Sequence, residues 1–374
     1  MDKLYLQALN KTKPRFAVLG AGNGGQTMAG HLALKGYTVN LYDRKPAHVQ
    51  KIRRRKGIVL KGQLKGFGQL NLVTTNLQKA IDETDIIMVV VPANAHSEVA
   101  KACAPFLKDG QVIILNPGRT GGALEFRRYV SKNVLVAEAQ TLLYACRSLK
   151  PGICQVHGIK KTVPIAAFPG YKTSHIVSLL KEAIPQFVAS KNVLVTSLSN
   201  IGAVFHPTIT ILNSSRIDRG ESFDFYYDGV TKAIANIVEC VDYERIAIAK
   251  ALGIKVLSAK TWLYQAYGSI GEDLYSTIHN TPSYKGIQAP ITLDNRYIYE
   301  DIPTGLVPLT SLGQLAGVNT PTMNTLINLA SIISNQNYLL SGRTIYDMGI
   351  DHLTPCSLAN FAMNGDDRDE KETA

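Results

Sequence analysis

The run Gly20-Ala21-Gly22-Asn23-Gly24-Gly25 has G-x-G-x-x-G spacing and lies between an apolar stretch and a helical pattern that begins at Gln26. In that setting Gly20 allows a tight turn, Gly22 lets backbone approach a pyrophosphate, and Gly25 permits close helix–strand packing. The helix N-terminus offers N–H groups and a positive dipole end to the anion. Gly20, Gly22, Asn23, Gly24 and Gly25 are therefore candidate contacts to a dinucleotide. Asp43 lies 21 residues after Gly22, where a carboxylate hydrogen-bonds the adenine-ribose hydroxyls of NAD. Its neighbours Arg44 and Lys45 are cations suited to the 2′-phosphate of NADP. An inward Asp43 repels that phosphate, so NAD(H) is favoured and NADP(H) is still allowed. Pro92 and Ala93, and the loop Asn116-Pro117-Gly118-Arg119-Thr120-Gly121-Gly122, follow strand-like segments. Ligands of open α/β sheets bind beyond the carboxyl ends of strands, so both loops are candidate cofactor walls.

A second set of chemically able residues lies in the other half. His206 closes the small-residue stretch Ser199-Asn200-Ile201-Gly202-Ala203-Val204-Phe205-His206, and Arg296 and Asp301 share a Tyr-rich segment. Reduction at an oxo acid needs a cation for the carboxylate and an acid/base for the oxygen or amine, and gains from a carboxylate that orients an imidazole. Arg296, His206 and Asp301 meet those needs if the fold brings them together. Arginine suits the first because its planar fork binds a carboxylate through two hydrogen bonds.

The elements that must position these residues alternate in the first half. Strands are predicted at 15–20, 39–43, 85–91, 111–115, 133–136 and 162–167, with a helix over 26–35 and Gly36 as its C-cap. Near-continuous apolar strands between helices point to a parallel sheet covered on both faces. A last strand is expected at 192–196. The pattern then turns helical, with a long helix over 230–252, and the stretch 268–321 reads as irregular.

The chain has 374 residues, 45% of them apolar and 18% charged. That is enough to bury two cores, and it excludes disordered, collagen-like and coiled-coil proteins. The expected division is a dinucleotide-binding domain over 1–196, a helical substrate domain over 197–364 and a flexible tail over 365–374. A net charge of +11 favours anionic partners. The basic run Lys51-Ile52-Arg53-Arg54-Arg55-Lys56 reads as a solvated helix face rather than a nucleic-acid patch. Five scattered cysteines, no signal-peptide pattern and apolar runs too short for a bilayer make a cytoplasmic protein with neither membrane nor nucleic acid as partner the expectation.

Taken together, residues 20–25, 116–122, Ala137-Glu138-Ala139-Gln140-Thr141-Leu142, Asn200…His206-Pro207 and Arg296-Tyr297-Ile298-Tyr299-Glu300-Asp301-Ile302-Pro303 resemble the octopine/opine dehydrogenase family. The resemblance runs from about residue 14 to 350. It implies an α/β Rossmann domain followed by an all-α domain like the C-terminal part of 6-phosphogluconate dehydrogenase. It implies reductive condensation of an amino acid with a 2-oxo acid such as pyruvate, and allows for a homodimer. His206 and Asp301 match the family's catalytic pair, Arg296 matches its oxo-acid arginine, and Asn200 falls in its substrate motif. The identity of the amine donor does not carry over. Two other readings fit the glycine turn: a ketopantoate reductase or glycerol-3-phosphate dehydrogenase type of enzyme, which would be expected to use a lysine, and an NAD-binding regulator without turnover.

Overall fold

A computed structural model describes residues 13–131 and 133–365. The described chain forms two units, one made of residues up to 196 together with the end of the last helix from 362, the other of residues 197–361. Apart from Gly365, the expected tail lies outside the described residues.

In the first unit the apolar runs become strands because β-branched and aliphatic residues fit a sheet buried on both faces. They are β1 (Phe16–Leu19), β2 (Val39–Tyr42), β3 (Gly57–Gly62), β4 (Gly66–Gln69), β5 (Leu72–Thr74), β6 (Ile86–Val89), β7 (Val112–Leu115), β8 (Leu135–Ala139), β9 (Tyr144–Lys150), β10 (Ile153–Ile159), β11 (Val163–Phe168) and β12 (Phe187–Ala189). Eight of them form one sheet in the order β12-β11-β8-β7-β6-β1-β2-β5. Phe16 pairs with Val39 on one side and Ile86 on the other, both in parallel register. All of β1, β6 and β7 is buried. The sheet is mixed rather than purely parallel, because β11 runs antiparallel to β8 and β12 follows β11.

The sequence pattern gave no sign of a second sheet, ordered β4-β3-β10-β9. Its strands are short, rich in glycine and charge, and half exposed, so they lack a continuous apolar signature. The sheet braces the glycine turn. The Gln26 side chain donates to the Ala21 carbonyl at 2.7 Å and accepts from the Gly152 N–H at 2.8 Å.

Residues 193–196 are helical and Asn192 precedes them as a cap, which corrects the expected strand. Asn192 Oδ1 accepts from the Leu194 and Val195 N–H groups, the local signature of an N-cap, and opens the helix Val193–Leu198. The last strand of the sheet is instead β12. Among the described residues one helical stretch, Val193–Leu212, is long and apolar enough to cross a membrane, and most of it is buried inside the protein.

The second unit is built around the helices Ile201–Leu212 and Lys232–Ala251. The stretch 268–321, expected to be irregular, instead holds the short helices Leu274–His279 and Arg296–Tyr299, a π-type turn over Ile302–Leu306, and the helix Val307–Leu315. Capping residues rather than apolar periodicity define the first two. Asp273 and Asn295 accept hydrogen bonds from N–H groups of the turns they open.

Candidate active site

The carboxyl ends of β1, β2, β6, β7 and β8 share one edge of the large sheet, and the first-half candidate residues gather there. A Cβ on Gly20, at φ +104°, would lie 2.4 Å from the Val90 carbonyl oxygen, and one on Gly25 would lie 1.8 Å from that of Gly20. No other residue type fits either position. Gly22 differs, since a Cβ there would meet nothing within 4 Å. That is the bare backbone surface a pyrophosphate needs, and Gly22 opens the helix Asn23–Leu34 with no side-chain cap. Gly24 faces Leu142, from the loop after β8. The cradle fits a dinucleotide.

Asn23 lies at the first position of that helix. Its side-chain oxygen accepts from the Ser148 N–H of β9 at 2.9 Å, so it anchors the small sheet and faces away from the turn. Asp43 is more deeply engaged than its spacing suggested. Oδ2 accepts from the Ala21 N–H at 2.7 Å, Oδ1 from the Lys45 N–H at 2.8 Å, and His48 Nδ1 lies 3.2 Å from Oδ1. Its carboxylate is thus fixed against the turn. The exposed Arg44 guanidinium pairs with Glu98 at 2.6 Å, so this cation beside Asp43 already has a carboxylate partner. Pro92 and Ala93 follow β6, with Ala93 starting a single 3₁₀ turn. In the loop after β7, the Gly118 N–H bonds the Ala139 carbonyl. The buried Glu138 accepts from the Ala123 N–H at 2.8 Å and the Thr196 hydroxyl at 2.6 Å, holding that loop from below.

In the second unit the structure brings His206 and Asp301 together across 95 residues of sequence. Nδ1 lies 2.8 Å from Asp301 Oδ2. The carboxylate is fully buried, and the imidazole is 21% exposed. A carboxylate only accepts, so Nδ1 carries the hydrogen and Nε2 is the nitrogen left for chemistry. His206 sits mid-helix, with Pro207 after it. Asp301 stands at the head of the π-type turn, and π-type turns occur often at functional sites. The two segments approach closely because of Gly305, where a Cβ would lie 2.7 Å from that of Ala203. Asn200 is buried beside the same turn, its amide nitrogen 3.7 Å from that Cβ position.

Arg296 begins the helix Arg296–Tyr299. Its guanidinium is 53% exposed and pairs at 2.9 Å with Glu300, which is 1% exposed. Two residues escaped the sequence reading here. Glu300 had a signal, the i,i+4 spacing of an acid and Arg296. Tyr297 had none: its ring stacks on the His206 imidazole at 4.2 Å and 25°.

Over 348 residues the chain is 39% identical to the opine dehydrogenase of Arthrobacter sp. (strain 1C), spanning 92% of this chain and 97% of that relative. The chain belongs to the opine dehydrogenase family. Members of this family are NAD(P)-dependent oxidoreductases, and the reaction is reductive condensation of an amino acid with a 2-oxo acid, or its reverse. Residues 189–334 match the NAD/NADP octopine/nopaline dehydrogenase α-helical domain, and residues 16–170 match ketopantoate reductase PanE/ApbA. Octopine dehydrogenase from Pecten maximus is 26% identical, over 88% of this chain and 92% of its own. The solved octopine dehydrogenase in complex with NADH and agmatine shares the fold, with a TM-score of 0.81 at 22% identity over 96% of this chain and 100% of that one. The ketopantoate reductase family model covers only the first half of the chain, while the opine dehydrogenase match extends through the helical half.

Proposed function

We propose that His206 is the proton-transfer group of this opine dehydrogenase, that Asp301 orients it and stabilises its charged form, and that Arg296 binds the carboxylate of the 2-oxo acid. The 2.8 Å contact between His206 and the buried Asp301 carries the reading. The two units serve as cofactor module and substrate module. Gly20, Gly22, Gly24 and Gly25 hold the dinucleotide phosphates with the backbone of Asn23, Asp43 holds the adenine ribose, and Pro92 and Ala93 line the path beyond.

The neutral amine of the amino acid attacks the ketone carbon and forms a carbinolamine. Loss of water, with the proton that His206 Nε2 took from the amino acid's ammonium group passed on to the departing oxygen, leaves a protonated imine that keeps its N–H. The nicotinamide, when bound, supplies the hydride that reduces the imine carbon. Arg296 fixes distance and rotation of the reacting carbonyl through its fork, and Glu300 keeps that fork in place.

Cofactor preference goes to NAD(H), supported by the fixed Asp43 carboxylate and by the Arg44–Glu98 pair, in which the guanidinium already has a carboxylate partner. The five free cysteines fit a reducing, cytoplasmic setting. A homodimer acting on small molecules, without nucleic acid or membrane, completes the reading. The test is a matrix of amino acids against 2-oxo acids, with NADH and NADPH, read as cofactor oxidation. Turnover that requires both substrates supports it. Turnover with an oxo acid alone overturns it in favour of a hydroxy-acid reductase.

A further inference from the structure

Beyond the pair and the arginine, we infer that Tyr297 is a positioning residue for His206, acting through the face of the imidazole while Asp301 acts through its edge. This rests on His206 being the proton-transfer group. A single hydrogen bond at Nδ1 fixes one point of the ring and leaves it free to rock about that point. A parallel ring at 4.2 Å and 25° removes the rocking by fixing the plane. Together the two contacts leave Nε2 one direction in which to point.

Tyr297 is itself held, so it can serve as a reference plane. Its N–H donates to Asn295 Oδ1 at 2.9 Å, which starts the short helix. The fully buried Phe225 flanks both rings, 5.0 Å from Tyr297 at 35° and 6.5 Å from the His206 imidazole at 55°. Phe225 in turn meets Tyr226 edge to face at 5.0 Å, and Tyr226 stacks on Tyr284 at 3.9 Å. A cluster of aromatic rings thus packs around Tyr297 and the imidazole. The π-face also suits the imidazolium that forms when His206 takes a proton, since a cation over a tyrosine face is attracted to it. Tyr297 and Asp301 belong to one short segment, so the face and edge contacts share a single support.

The experiment compares Tyr297→Phe, which keeps the ring, with Tyr297→Leu, which removes it. The full-length enzyme is assayed by steady-state kinetics, and the His206 ring signals are followed by NMR after histidine labelling. Tyr297→Leu is expected to lower kcat about 10–100-fold, the cost of misaiming a catalytic group, with little change in either substrate KM or in NADH affinity. Tyr297→Phe should stay within about twofold of the parent. The ring-current shift of the His206 carbon-bound protons should persist in Tyr297→Phe and vanish in Tyr297→Leu. Equal damage in both variants would overturn the inference by assigning the role to the hydroxyl. A rise in KM alone would make Tyr297 a substrate contact, and unchanged kcat in Tyr297→Leu, or an absent ring-current shift in the parent, would equally refute it. Failure of the proton-transfer reading is distinguished separately, because His206→Ala would then retain turnover.

Discussion

The Asp301 N–H donates to the Arg296 carbonyl at 3.1 Å, closing a wide turn across five residues. That bond joins the group assigned to the substrate carboxylate to the group that orients the histidine. Movement at one end is therefore felt at the other, and substitutions in this segment should couple substrate affinity to turnover.

Replacing His206 with Ala is expected to lower kcat by roughly 10²–10⁴-fold, the usual range for a positioned acid/base. NADH affinity, measured by fluorescence titration, should be nearly unchanged, since the glycine cradle belongs to the other unit. Near-normal turnover would remove His206 from the mechanism.

Arg296→Lys keeps the charge and loses the fork, and a lysine cannot bind Glu300 and a carboxylate with the same geometry. The KM for the 2-oxo acid should rise about 10-fold or more and kcat should fall, with a smaller change in the KM for the amino acid. A selective rise in the amino-acid KM would reverse the assignment. Thermal unfolding of the variant, run alongside, separates a local effect from loss of the Arg296–Glu300 pair.

Asp43→Ser should relax the preference for NADH over NADPH, because it removes a negative charge from the 2′-phosphate position. It also removes the acceptor for the Ala21 N–H, so NADH affinity should fall as well. Comparison of kcat/KM for the two cofactors checks both effects. A parent enzyme with no preference would show that Asp43 does not discriminate.

The buried His31 imidazole, 3.0 Å from the Tyr144 hydroxyl, is lowered by burial, and further by Lys35, to a pKa of about 4. The unfolded value is near 6.5. Between the two the unfolded chain binds the extra proton, so stability rises with pH over that window and is lost as pH falls from about 6.5 to about 4. The contribution is on the order of 3 kcal/mol. Urea midpoints should therefore drop across this range in the parent and drop less in His31→Gln. Parallel slopes would contradict the assignment.

Much of the site was legible because its residues carry strong local signals. The glycine turn needs its glycines for steric reasons, and Arg296 and Asp301 share one segment. The pairing of His206 with Asp301 was suggested by chemical need and strengthened by family resemblance, since no periodicity links residues so far apart. The small sheet was invisible because half-exposed strands such as β3 and β9 mix glycine and charge. Asn192 was misread because its apolar successors suit a strand as well as a helix, and only its capping bonds decide. Asn23 and Asn200 sit in their motifs, with the Asn23 side-chain oxygen bonded to Ser148 of β9 and Asn200 buried near Gly305, contacts that no motif spacing foretells. Motif position alone does not report which way a side chain turns.

The central claim is that hydride reaches the carbon of an imine formed from two substrates, at a site run by His206 and Arg296. It is tested most directly by supplying NADH deuterated at the transferable C4 position, with pyruvate and an amino acid, and identifying the products by mass spectrometry. The account predicts a secondary-amine dicarboxylate carrying one deuterium on the former ketone carbon, formed only when both substrates are present. Deuterium in lactate instead, whether or not the amino acid is added, would contradict it.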